Sequence, residues 1–381
     1  MTRPAPTGPL ADALAHFPLV PRPDLGAPPL EQRVAELAEL AAQAAATGNT
    51  DIATAVHHRA AVLAHDRGHP GAAYGLCNMH AHLYLAHRPL SVEHARQALQ
   101  LQATAADLLV RDGRGQAALG LLAEISRAIG EDEDADLAAV CLPLAGLVTG
   151  TPARGDVYEW WDDAQLVHGV RALVGEGRWT EAHLHTKAAP DTARRPGLFE
   201  ARQIAVIAMA LAGQPNLAEM LLDTTPPGAG WEQVAAAALT VACALLGGQA
   251  SDDQLVAMLD AHDTYQPTYN RLFDTQLTLT VADLCTAAGK HQAAEYLYAI
   301  ATGWALAAPE GYSARVLLRH TLAARLPEDH RRELTAITEH AGLRAASVPP
   351  GLDEQITAAL AQAAEVITTA LTAPRAALPR P

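Results

Sequence analysis

The sequence is poor in aromatic residues, which make up 4% of its 381 positions, and almost free of lysine, with Lys187 and Lys290 alone. Stretches rich in Val, Ile, Thr and aromatics, the usual material of strands, are hard to find. The best of them, residues 277–281, lies inside a longer helical pattern. The longest apolar runs, 204–212 and 234–246, fall short of the roughly 18 residues a membrane span needs and read as buried core helices. The N-terminal residues hold no apolar h-region, so no secretory leader is expected. Cysteine is scarce: Cys77, Cys141, Cys243 and Cys285 form no C-x-x-C pair, and each sits in an apolar helical setting. Buried, reduced thiols of a cytoplasmic protein are expected. Basic residues are outnumbered, leaving a formal net charge of -15, which argues against general nucleic-acid binding. No P-loop, G-x-G-x-x-G, H-E-x-x-H or G-x-S-x-G is present, and neither a cofactor nor a metal is expected.

What is abundant is alanine and leucine, within a chain that is 50% hydrophobic. Alanine is the best helix former, and its small side chain lets helices approach closely. The chain therefore reads as all-α. Its preference for arginine over lysine is that of a GC-rich bacterial genome. Residues 1–29 carry Pro4, Pro6, Pro9, Pro18, Pro21, Pro23, Pro28 and Pro29, which prevent a continuous helix. This segment is expected to be largely extended, with a short amphipathic turn at residues 10–17 that docks onto the body. It also leaves no room for an N-terminal helix-turn-helix. A helical domain is expected over 30–372 and a flexible tail over 373–381. Within the domain, short Gly, Pro and Asn breaks separate the helices, and short loops imply antiparallel neighbours. Ser251 and Gln254 form a capping-box pattern. Pro215 and Pro327 mark helix starts, the latter followed by Glu328 and Asp329 where the helix dipole favours carboxylates.

A repeat emerges when the turn glycines are aligned. Gly48 precedes Ala53 by five residues, as Gly113 precedes Ala118, Gly177 precedes Ala182, Gly213 precedes Ala218 and Gly289 precedes Ala294. The glycines stand about one or two units of roughly 34 residues apart. On these residues the chain resembles the tetratricopeptide repeat family. The best unit, residues 280–309, adds Tyr298 and Ala301 to Gly289 and Ala294. A second, 163–190, has Gly177, Trp179, Ala182, Ala189 and Pro190; a third, 31–64, has Gly48, Ala53 and Ala60. The resemblance implies a right-handed α-solenoid of antiparallel helix pairs, here irregular, with a concave face that takes a protein or peptide.

Candidate sites are few. Tyr158, Glu159, Trp160, Trp161, Asp162 and Asp163 concentrate aromatic area beside charge, as binding anchors do. Core packing of the rings is the competing reading. The loop 263–271, with Tyr265, Tyr269 and Arg271, is polar and aromatic, as recognition loops are. Trp160, Trp161, Tyr265, Tyr269 and Arg271 are the binding candidates. Cys77 and His80 share a helix face, but two ligands fall short of a zinc site. The acidic run from Glu131 to Asp136 is expected to open a helix.

The leading functional expectation is a non-catalytic, cytoplasmic protein that binds a peptide or protein on its concave face, away from membranes and nucleic acid. Two alternatives stay open: a regulatory sensor of a peptide or small molecule, and an enzyme or accessory subunit with a site among its histidines.

Overall fold

A computed structural model describes residues 6–21, 26–137, 140–187, 200–228, 230–268, 270–343 and 349–373. Ala189, Pro190, Tyr269 and the tail 374–381 lie outside them, as do residues 1–5 and 22–25 of the proline-rich segment. The chain is all-helical: the described residues form seventeen α-helices and are 77% helix. Its only strands among the described residues are β1 (Ala135–Asp136) and β2 (Cys141–Leu142), a minimal antiparallel pair.

The chain divides into two compact units, neither of them contiguous, where the sequence reads as one domain over 30–372. Unit I comprises Leu30–Ala172 and Arg344–Pro381; unit II comprises Met1–Pro29 and Leu173–Leu343. Burial rather than order in the chain decides this division, because each unit closes its core with a segment from the far end of the sequence.

Unit I contains α2 (Leu30–Thr47), α3 (Thr50–Asp66), α4 (Pro70–Leu85), α5 (Val92–Arg111), α6 (Gly115–Glu131) and most of α7 (Thr151–Gly175). Helices α2 to α6 pack in succession, and α17 (Pro350–Thr372) lies against α2, α3 and α4. Ala359, Ala363 and Ile367 of α17 are buried in the same core as Val34, Leu37, Val56 and Leu63. Asn49 caps α3 by accepting hydrogen bonds from the amides of Asp51 and Ile52.

Unit II contains α8 (Trp179–Lys187), α9 (Glu200–Leu211), α10 (Pro215–Asp223), α11 (Gly230–Gly247), α12 (Asp252–Asp263), α13 (Arg271–Ala287), α14 (His291–Ala307), α15 (Gly311–Arg319) and α16 (Glu328–His340). Sequential neighbours pack together, and α9, α11, α13 and α15 also pack on one another in that order. Helix α1 (Pro9–Ala15), the helical part of the proline-rich segment, lies on α13 and α11. The capping box at Ser251 and Gln254 is formed, and Pro215 opens α10.

The five repeat glycines all turn through the left-handed region, with φ between 65° at Gly48 and 77° at Gly289. Each partner alanine, five residues on, is fully buried: Ala53, Ala118, Ala182, Ala218 and Ala294. Tyr298 and Ala301 are buried too. A glycine accepts that φ without steric cost, and an alanine lets the next helix close in.

Three expectations are corrected, and the short turn expected at residues 10–17 takes the form of a helix. The acidic run ends a helix instead of opening one: α6 continues through Gly130 to Glu131, and Asp132 turns left-handed at φ 60°. Arg127 offsets the charge at that helix end, binding Glu124, Glu131 and Glu133. Asp132 and Asp134 accept hydrogen bonds from the amides of Gly146 and Ala145, which folds the turn back. Cys141 is exposed and lies on β2, whereas Cys77, Cys243 and Cys285 are buried. Residues 9–15 are helical because Pro9 stands at the first turn, where its missing amide costs nothing. Finally, α11 is longer than its apolar run: at 18 residues with mean hydropathy 1.3 it is, among the described residues, long and apolar enough to cross a membrane. Half of it is buried within the fold, including Val234, Leu239 and Cys243.

Candidate functional site

In unit II α1 and the segment just after it lie against α13, α11 and α9. Ala13, Leu14, Phe17 and Leu19 are buried there. Gln203, on α9 and itself fully buried, reads the backbone of Leu19 on both sides. The Leu19 amide donates to Gln203 Oε1 at 2.7 Å, and Gln203 Nε2 donates to the Leu19 carbonyl at 2.7 Å. This reciprocal pair satisfies two buried backbone groups with one side chain, and it makes no demand on the identity of residue 19.

A second grip lies at Ala27. Its amide donates to Glu310 Oε1 at 2.7 Å, and its carbonyl accepts from the Gly311 amide at 2.9 Å. Glu310 also caps α15 through the amides of Tyr312 and Ser313. Only glycine fits at 311, since a Cβ there would stand 2.5 Å from Ala341 Cβ and 3.0 Å from the Ala27 carbonyl oxygen.

Three residues before Leu19, His16 faces Asp283 of α13, with 3.7 Å from Nε2 to Oδ2. His320 holds the other oxygen at 2.9 Å through Nε2 while its Nδ1 accepts from the Leu322 amide, which assigns the tautomer. Burial works to raise the Asp283 carboxyl, but the neighbouring His16 and His320 together outweigh it and hold it below the usual range. Tyr298 stacks on His320 and donates its hydroxyl to the Leu317 carbonyl.

The loop read as a recognition candidate is anchored inward. Asp274, fully buried in the first turn of α13, accepts from the Tyr265 hydroxyl at 2.5 Å and from the Thr268 amide and hydroxyl at 3.0 and 2.9 Å. Burial first, then Asp274, pushes the Tyr265 phenol up. Arg271 stands 3.8 Å from Asp274, so the structure brings Tyr265 and Arg271 together around one carboxylate. His262 stacks on Trp304 and bonds the Thr278 hydroxyl at 3.0 Å.

Unit I holds the tryptophan pair and the histidine-rich helices. Trp161 is fully enclosed and donates Nε1 to the Leu122 carbonyl at 3.2 Å; Trp160 is half-buried against the same core. His80 pairs with His57 of α3, not with Cys77 on its own helix. Tyr84 joins them, bonded to Thr54 and to Gln97, whose amide reaches Asp51. At a second polar cluster, Asp107 of α5 binds His168 at 2.7 Å and Arg171 at 3.0 Å, both on α7. Burial works against the Asp107 charge, yet the hydrogen bonds from His168 and Arg171 hold the carboxyl below its ordinary value. Among the described residues no three His, Cys, Asp or Glu side chains converge as metal ligands.

Gln203, Glu310, Asp283 and His16 did not figure in the sequence reading. The glutamine's partner is 184 residues away, a pairing that no local pattern encodes. Compared with protein families, curated proteins and solved structures, the chain matches none.

Proposed function

We propose that the chain is a non-catalytic helical-repeat protein, tetratricopeptide-like in its helix pairs, which binds an extended peptide or protein segment along the layer of α9, α11, α13 and α15. The observation that carries this reading is the Gln203 clamp on both backbone groups of Leu19. A scaffold that recognises extended chain reads its main chain with fixed polar side chains and its apolar residues with pockets. The five glycine turns and their buried alanines support the repeat-like, solenoid arrangement. Free, buried Cys77, Cys243 and Cys285 suit a reducing compartment, and the proposed location is the cytoplasm.

Peptide display against the full chain tests the reading. Selected peptides are expected to bind one per chain and to slow amide hydrogen exchange in α9 and α13. Failure to enrich any peptide, together with a small metabolite retained in native mass spectrometry, would replace this reading with that of a small-molecule sensor.

A further inference from the structure

We propose that residues 9–19 are a built-in occupant of the peptide site in unit II, and that the external ligand is a peptide of the same chemistry that displaces them. The inference rests on the peptide-binding reading and specifies its ligand. Three observations carry it.

The first is how the segment is held. Ala13, Leu14, Phe17 and Leu19 are buried, and the segment's hydrogen bonds to α9 are to the main-chain atoms of Leu19 through Gln203. Contacts of that kind transfer to any extended chain with a matching apolar pattern. The second is where the segment comes from. It packs within unit II, yet the next residue along the chain after Pro29 begins unit I. It is thus an appended segment, a short helix and the residues after it, that packs on α13 and α11 from outside the repeat's helix pairs. The third is the composition of what it lies on. Helix α13 is buried on nearly every face and carries the buried polar groups Asp274, Thr275, Thr278, Thr280 and Asp283. Thr278 and Thr280 satisfy themselves by donating to carbonyls one turn back, but Asp283 takes its partners from His320 and from His16 of the segment itself.

The ligand chemistry follows from the occupant. It has a short apolar turn, a cationic or hydrogen-bonding group opposite Asp283, an aromatic residue at the Phe17 position, and an apolar residue two places on whose amide and carbonyl meet Gln203. A tethered occupant competes at an effective concentration on the order of millimolar, so an external peptide of micromolar intrinsic affinity binds the intact chain far more weakly than it binds the vacated site.

The test uses a fluorescently labelled synthetic peptide with the sequence of residues 8–21, titrated against full-length protein. The expected result is at least tenfold tighter binding to a Phe17→Ala/Leu19→Ala double variant than to the unaltered chain. Adding Gln203→Leu to that variant is expected to remove the gain. Equal binding to both proteins, or none to the double variant while its thermal melt stays cooperative, overturns the proposal. Should the double variant fail to fold, hydrogen exchange on the unaltered chain decides. Amides at positions 13–19 are expected to open in an event separate from α13, and the excess synthetic peptide is expected to speed their exchange. Exchange of these amides only with global unfolding overturns the proposal. Display-selected peptides that bind both proteins equally would remove the built-in occupant but leave the peptide-binding reading standing. No peptide binding to either protein would remove both.

Discussion

His57 and His80 meet Nδ1 to Nδ1 at 2.8 Å inside unit I, and the two rings are short of one proton. His80 Nε2 donates to the Gln97 carbonyl at 2.9 Å, so its Nδ1 accepts. His57 must then donate from Nδ1, which leaves its Nε2 a lone pair facing the Leu360 carbonyl of α17 at 3.4 Å. A third proton would complete all three contacts, but burial opposes the charge. Burial lowers His57 against the pull of the Leu360 carbonyl, and burial with the neighbouring His57 pushes His80 down to about 3.

Unit I is therefore expected to lose stability on acidification. Both histidines titrate lower when folded than the ordinary 6.5. The unfolded chain takes up the protons first, so the contribution is intact above pH 6.5 and erodes as pH falls from there towards the folded value. Between pH 6.5 and 4.5 the loss for His80 alone is about 2–3 kcal/mol. Thermal melts across that range, compared with a His57→Gln/His80→Gln variant, check it; a variant with the same pH slope would refute the assignment.

Trp161→Ala is expected to cost about 3–5 kcal/mol, as for a fully enclosed aromatic, and Trp160→Ala clearly less. Urea unfolding measures both. Peptide binding by the folded fraction should be unchanged in each, since the pair belongs to the unit I core.

Ala182→Leu and Ala294→Leu each place three extra carbons at a fully buried position on a closely packed helix. A loss of about 1–3 kcal/mol in each is expected from overpacking. Unchanged melting of both would show that the helix pairs have room at these positions.

Gly311→Ala drives a methyl group into Ala341 and Leu343 and against the Ala27 carbonyl, closer than van der Waals contact allows. The expected outcome is a loss of about 1–3 kcal/mol with faster exchange of the Ala27 amide, whose acceptor is Glu310. Hydrogen exchange resolved to single residues distinguishes this from a general loosening.

Local chemistry was legible in the sequence, and long-range pairing was not. Gly289 and Ala294 announce a turn and a close helix contact because backbone φ and side-chain volume are properties of single residues. Residues 277–281 look strand-like by composition but are helical, with Thr278 and Thr280 bonding back to the carbonyls of Asp274 and Gln276. The acidic run misleads for a related reason: the dipole rule says where carboxylates are favoured, and Arg127 overrides it through three of them. The tryptophan pair stood out by area, yet area does not tell core from surface, and Trp161 went to the core. Gln203 carries no signal in its neighbourhood, since its partner is a backbone.

The placement of α17 has a consequence for how the protein is made. The core formed by α2, α3 and α4 is closed by Ala359, Ala363 and Ile367, which the ribosome adds only after all of unit II. At about 5–20 residues per second, the earliest helices of unit I wait some ten seconds or more with an apolar flank exposed. Folding of this half therefore waits for α17, and the nascent chain is a natural client for holding chaperones. Unit II faces no such delay, because residues 9–19 are already in hand when α9 to α15 emerge.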